Sequence, residues 1–187
     1  MKTMTLSITV TRQLHAIIEA ELRGHSGEPV LYIRDPDLTP SIEPAGLAPS
    51  TLITALEWSD ALPESLAKAG RFTLGIVYLK RRIPAAALRP LLARLRDVHC
   101  PRLVLLLSGS QKPSTPGHEP PGHEPLGQEP IGHEQLLALG FQPYPGAREL
   151  ARVVGIYEFD ISTYKRTPRW LNPARWANPE LWDKHRW

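Results

Sequence analysis

Hydrophobic positions follow two rhythms along the chain. Between Thr11 and Leu22, Leu14, Ile17, Ile18 and Leu22 recur at i, i+3, i+4 and i+8, the stripe of a helix with one buried face, and Gly24 and Gly27 end it. Pro29–Ile33 is instead a short apolar run giving way to Arg34-Asp35-Pro36-Asp37, which predicts a buried strand and a turn. Thr51–Leu56 predicts a weaker strand, and Leu62–Lys68 a short helix stopped by Gly70. Phe72–Leu79 and Arg102–Leu107 are the best strand candidates. Both are unbroken apolar runs rather than alternating ones, the pattern of strands covered on both faces in a parallel sheet.

Between those strands, Pro84–Val98 places Leu88, Leu91, Leu92 and Leu95 on one helical face. Pro84 suits a first turn, but Pro90 does not suit an interior, so the pattern predicts a kink there or a start nearer Leu88. Gly132–Leu139 predicts another helix with Gly140 as its stop. Phe141–Tyr144 and Arg152–Ile161 read as two strands joined by a turn at Pro145-Gly146. The order predicts an α/β sandwich with a mostly parallel sheet and an antiparallel C-terminal hairpin.

Composition adds compartment and boundaries. The chain has 187 residues, 42% hydrophobic and 22% charged, enough for one domain with a real core. Its single cysteine, Cys100, excludes a disulfide framework and a thiolate-rich metal site and suits the reducing cytosol. No stretch approaches the length of a membrane span, and Met1–Val10 lacks a signal-peptide core, so a cytoplasmic protein without membrane contact is expected. Twenty prolines and five tryptophans are concentrated: six prolines lie between Pro113 and Pro130, and Trp170, Trp176, Trp182 and Trp187 close the chain. The expected organisation is a domain over residues 1–164 with a loop at 113–132, and a tail over 165–187 packed on it.

That loop belongs to a tandem pentapeptide, PGHEP, PGHEP, LGQEP, IGHEQ, running from Pro116 to Gln135. Proline and glycine at this density hold neither a helix nor a ladder, so an extended connection is predicted. His118, His123 and His133 with Glu119, Glu124, Glu129 and Glu134 are metal-ligand types, but five-residue spacing in such a chain pre-organises no site, and no specific metal is expected. His99-Cys100 hints at a nucleophile. Neighbours in a strand point to opposite faces, however, so a half-buried structural thiol is expected.

The succession from Val30 to Ile161 resembles a reduced class I S-adenosylmethionine-dependent methyltransferase, a Rossmann-like fold whose sheet ends in such a reversed hairpin, and Gly140-Phe141 resembles the usual entry to that pair. The ending is more specific. Asp160-Ile161, Tyr164-Lys165, Pro168, Trp170-Leu171-Asn172, Trp176-Ala177-Asn178-Pro179-Glu180 and Arg186-Trp187 resemble a proteobacterial family of methyltransferase-like proteins of unknown function. The resemblance implies the fold and supplies no reaction.

It also implies where a cofactor would sit, and the residues there depart from the pattern. The first turn, Arg34 to Pro40, has no glycine, and two prolines remove donors from it. Glu57 or Asp60 can stand in for the acid that holds the ribose. The third strand is followed by Lys80-Arg81-Arg82, three cations that oppose a cationic sulfonium. The leading expectation is therefore a methyltransferase-like interaction module that has lost its cofactor site and binds no cofactor. The alternatives are a working S-adenosylmethionine-dependent methyltransferase with an atypical site of Arg34, Asp35, Glu57 and Tyr78, and an RNA- or DNA-binding module. A protein or nucleic-acid partner would meet Lys80, Arg81 and Arg82 and, in the tail, Arg166, Arg169, Trp170, Arg175 and Trp176, where indoles and guanidinium groups offer stacking and phosphate contacts.

Overall fold

The computed structural model describes residues 8–36, 52–80, 83–108, 129–147, 150 and 154–164. The elements are helix α1 (Ile8–Gly24), strands β1 (Pro29–Arg34) and β2 (Leu52–Glu57), helix α2 (Leu62–Ala69), strand β3 (Leu74–Leu79), helix α3 (Ala85–Arg94), strand β4 (Arg102–Ser108), helix α4 (His133–Ala138), strands β5 (Gln142–Pro143) and β6 (Val154–Asp160), and a single turn α5 (Ile161–Tyr164). The six strands form one sheet in the order β2-β1-β3-β4-β6-β5. The first four in that order are mutually parallel, and β6 is antiparallel to both β4 and β5. The fold class is thus a mixed α/β arrangement with a mostly parallel sheet and an antiparallel C-terminal pair.

The unbroken apolar runs are explained by burial on both sides. Odd-numbered β1 residues Leu31 and Ile33, with Val77, Leu79, Leu103, Leu105 and Leu107, pack under α2, α3 and α4. The alternate residues, including Val30, Tyr32, Ile76, Val104 and Leu106, pack against Leu14, Ile18 and Leu22 of α1. Every residue of β3 is buried, whereas β2, at the sheet edge, alternates between half-buried and exposed.

Pro90 neither breaks α3 nor delays its start. The helix begins at Ala85, behind Pro84, and carries Pro90 on its exposed side. The carbonyl that loses its partner is that of Ala86, itself exposed, so water satisfies it while Leu88, Leu91 and Leu92 anchor the opposite face. The helix then widens into a π-helical turn, Leu95–His99, closed by the Cys100 N–H donating to the Leu95 carbonyl at 2.8 Å.

The C-terminal hairpin also differs in detail from expectation. Pro145-Gly146 does form a turn, with Gly146 at φ +79°, but ten residues separate the two strands rather than the turn alone. Ala147 and Leu150 of that connection fill the α1 side of the core before β6 begins. Gly140 ends α4 at φ +86°, and the ring of Tyr164 lies where its Cβ would be, so glycine is required there twice over.

Candidate functional site

In an open α/β sheet, ligands sit beyond the carboxyl ends of the strands where the chain order switches direction. Here that place is between β1 and β3, because β2 lies on one side of β1 and β3 and β4 on the other. Three of the four residues expected at a cofactor share one rung of the sheet there. Arg34 pairs in register with Glu57 of β2 and with Tyr78 of β3, and side chains in one rung of a parallel sheet project from the same face. The fourth, Asp35, follows at the end of β1, fully buried.

These groups are engaged with one another. The Arg34 guanidinium donates to Glu57 Oε1 at 3.1 Å, across the gap between the two strand ends. The Arg34 carbonyl accepts the Trp58 N–H at 2.8 Å. Asp35 ties β1 to β3 twice: its N–H donates to the Tyr78 carbonyl at 3.2 Å, and its Oδ2 accepts the Lys80 N–H at 2.8 Å. Tyr78 is buried, and its hydroxyl lies beside that of Ser108 at the end of β4 without completing a hydrogen bond of ordinary geometry. Burial first, and the Asp35 charge second, raise the Tyr78 phenol above its ordinary value against the opposing effect of Ser108.

The described part of the first turn holds no glycine: the Arg34 side chain reaches across to Glu57, and the buried Asp35 carboxylate accepts the Lys80 N–H. Glu57, paired with that cation, remains about half exposed. Residues 37–51 lie outside the described residues, as do Arg81 and Arg82 of the basic segment.

The thiol is inert by construction. Cys100 is fully rather than half buried, because Gly75 of β3 leaves room for it. A Cβ at Gly75 would lie 2.8 Å from the Cys100 sulfur and 2.5 Å from Leu103 Cδ2. Burial pushes the thiol up to about 12, which leaves no thiolate at neutral pH. Neighbouring His99 turns away and donates through Nδ1 to the Gly70 carbonyl at 2.6 Å.

The end of the repeat is built into the domain, and α4 begins at His133, directly after the expected loop. Ile131 is fully buried in the core, Pro130 pairs with Pro84, and the Ala85 N–H donates to the Glu129 carbonyl at 2.8 Å. The apolar first residue of the last copy drives this, since isoleucine stands where the first two copies have proline. His133 is bonded to the Tyr157 hydroxyl at 2.9 Å. Among the described residues, no three His, Cys, Asp or Glu side chains gather as a metal site. The earlier copies lie outside the described residues.

At the opposite, amino end of the parallel strands lies a cluster that the sequence reading missed. Arg102 opens β4 and meets Glu21 of α1 through two hydrogen bonds of 2.9 and 3.0 Å, Asp160 at 3.2 Å and Glu158 at 3.3 Å. The Tyr144 hydroxyl also donates to Glu21, at 2.7 Å. Burial raises Glu21, but the hydrogen bonds from Arg102 and Tyr144 outweigh it and hold the carboxyl below its usual value. Burial leaves Glu158 above it despite Arg102. The clue was a charge inside an otherwise apolar pattern: Glu21 beside Leu22 on the α1 stripe, and Glu158 within β6.

Of the expected partner residues, Lys80 alone falls among the described residues. Lys80 lies at the carboxyl end of the sheet, while the chain leaves for the tail from Tyr164, at the amino end beside Arg102. Arg166, Arg169, Trp170, Arg175 and Trp176 lie outside the described residues. Among the described residues no helix is long and apolar enough to cross a membrane. No curated protein matches the chain. The family comparison is more informative, because one match spans residues 10–187 and so takes in the sheet, the repeat and the tryptophan-rich ending together: the chain belongs to the DUF6231 family of unknown function.

Proposed function

We propose that this chain is a non-catalytic interaction module on a methyltransferase-like, Rossmann-like fold whose S-adenosylmethionine site has been lost. The fold part of the reading is supported by the strand order, which winds outward from β1 in both directions and inserts one antiparallel strand, β6, before the last. The loss is supported by one observation: Arg34, at the start of the first turn, is paired with Glu57, which with Asp60 is one of the two acids expected at the ribose. A site lost to internal pairing leaves the domain its surface, to which the sequence contributes the cations Lys80, Arg81 and Arg82.

Titration calorimetry with S-adenosylmethionine and S-adenosylhomocysteine tests the loss. No heat of binding is expected at micromolar ligand, and micromolar affinity for either compound overturns the reading in favour of a working methyltransferase. The partner class is read from gel shifts with short RNA and duplex DNA across a salt series. A shift that weakens steeply with salt and disappears in an Arg81→Glu, Arg82→Glu variant identifies a nucleic acid, and no shift at low salt removes that alternative.

A further inference from the structure

The two edges of the sheet are built differently. β5 closes one edge with two residues, and one of them, Pro143, has no N–H to donate to a further strand. β2 closes the other with six, paired one to one with β1 from Leu52 to Glu57 without a bulge. Its sequence, LITALE, has no proline and no lysine. The one charge, Glu57, stands at the last position and is paired with Arg34. Among the described residues, β2 is hydrogen-bonded to β1 alone. Leu52 is 67% exposed, the highest value among the exposed large apolar residues described. Natural sheets blunt an edge with proline, lysine, a bulge or a very short strand. That protection is given to β5 and withheld from β2.

The pattern of β2 is also complementary to itself. A two-fold axis perpendicular to the sheet sets two such edges antiparallel and keeps the α1 side of both copies on one side. Directly opposite residues then share a face, so the axis passes through a residue and not between two. An axis at Thr54 sets Thr54 against Thr54, Ile53 against Ala55 and Leu52 against Leu56, and leaves Glu57 outside the pairing. An axis at Ala55 instead sets the Glu57 charge against Ile53, which packs on the α1 side of the core. The Thr54 register covers exposed Leu52 with Leu56, itself packed on the other side of the core, and opposes two threonines, a favourable cross-strand pair. We infer that β2 is the interface with a second copy of this chain, joined edge to edge about a two-fold axis at Thr54 into one continuous sheet. A standard interface takes about 20–30 residues a side and β2 supplies six, so the pair belongs to the weak class that dissociates on dilution. The inference does not rest on the loss of the cofactor site.

Sedimentation velocity of the full-length protein over a concentration series tests this, and a dimer that dissociates on dilution is expected. Protein still monomeric at about 1 mM overturns the inference without any variant. Thr54→Lys sets two ammonium groups against each other at the axis and weakens dimerisation at least about fivefold. A dimer within about twofold of the native affinity in this variant places the contact elsewhere and overturns the inference. The register is read independently by oxidation with diamide, in which buried Cys100 takes no part. Thr54→Cys sets two thiols opposite each other, with Cα atoms about 5 Å apart, and cross-links the copies. Leu52→Cys does not, because its counterpart lies four residues along the strand, about 13 Å away. Cross-linking of Leu52→Cys but not of Thr54→Cys, or of neither, overturns the inference.

Discussion

Replacing Arg102 by methionine removes the one cation of a three-carboxylate cluster while keeping most of the side-chain volume. Four hydrogen bonds of 2.9–3.3 Å are lost at once, and α1, β4 and β6 lose their shared anchor. Removing one partner of a fully buried ion pair costs about 3–5 kcal/mol. Arg102 retains about a quarter of its exposure, so solvent screens the leftover charges and the lower end applies, about 3 kcal/mol. For a chain of this length that lowers the melting temperature by about 6–12 °C, and the urea midpoint by about 1–2 M with an unchanged slope. The deficit must also depend on pH. In the native protein Glu21 and Asp160 are held below their ordinary values, so their contribution is present above the ordinary carboxylate range and is lost as pH falls through their lowered values. Without Arg102 the three carboxylates repel one another, their values rise, and protonation relieves the variant. The gap between native and Arg102→Met is therefore largest at neutral pH and narrows towards pH ~4. Urea denaturation followed by circular dichroism at several pH values reads both quantities. An unchanged midpoint at pH ~7, or a gap that stays constant with pH, refutes this account of the cluster.

Gly75→Ala should destabilise by about 1–3 kcal/mol through overpacking against Cys100 and Leu103, and Cys100→Ala should recover part of the loss, so a double-mutant cycle must show favourable coupling. In the native state Cys100 should resist iodoacetamide at pH ~8 and react fully in denaturant; stoichiometric alkylation of folded protein, seen by intact mass, contradicts its burial and raised pKa. Asp35→Ala should cost about 1–3 kcal/mol in thermal unfolding, because the half-buried Lys80 N–H loses its acceptor, whereas a residue kept only for a ligand could be removed without loss. The Arg34–Glu57 pair is partly exposed, so its coupling in a double-mutant cycle should stay below about 1 kcal/mol and fade in high salt.

Local order was legible wherever one residue's neighbours in sequence are also its neighbours in space. The α1 stripe, the runs of β1, β3 and β4, and the stop at Gly140 all follow from periodicity or backbone conformation over a few residues. The helix start nearer Leu88, one of the two readings of Pro90, fails for a tertiary reason: which side of α3 faces water decides whether a missing N–H matters, and one segment's pattern does not weigh that against three buried leucines. Likewise Cys100 gained its full burial from the empty space above Gly75, twenty-five residues away.

The sequence by itself therefore determined the α/β alternation, the parallel character of the sheet and the chemical identity of what the ends carry, because these depend on short-range patterns of apolar and charged residues. Only the tertiary structure decided which charges are spent on one another. Arg34 finds Glu57 across 23 positions, Arg102 finds Glu21 across 81 and Asp160 across 58, and Asp35 finds the Lys80 amide across 45. Electrostatic and hydrogen-bond partners are chosen by distance in space, and the sheet order β2-β1-β3-β4-β6-β5 sets those distances. That order puts Lys80 and Tyr164 at opposite ends of the strands, a separation of about 20 Å that no count of residues along the chain contains.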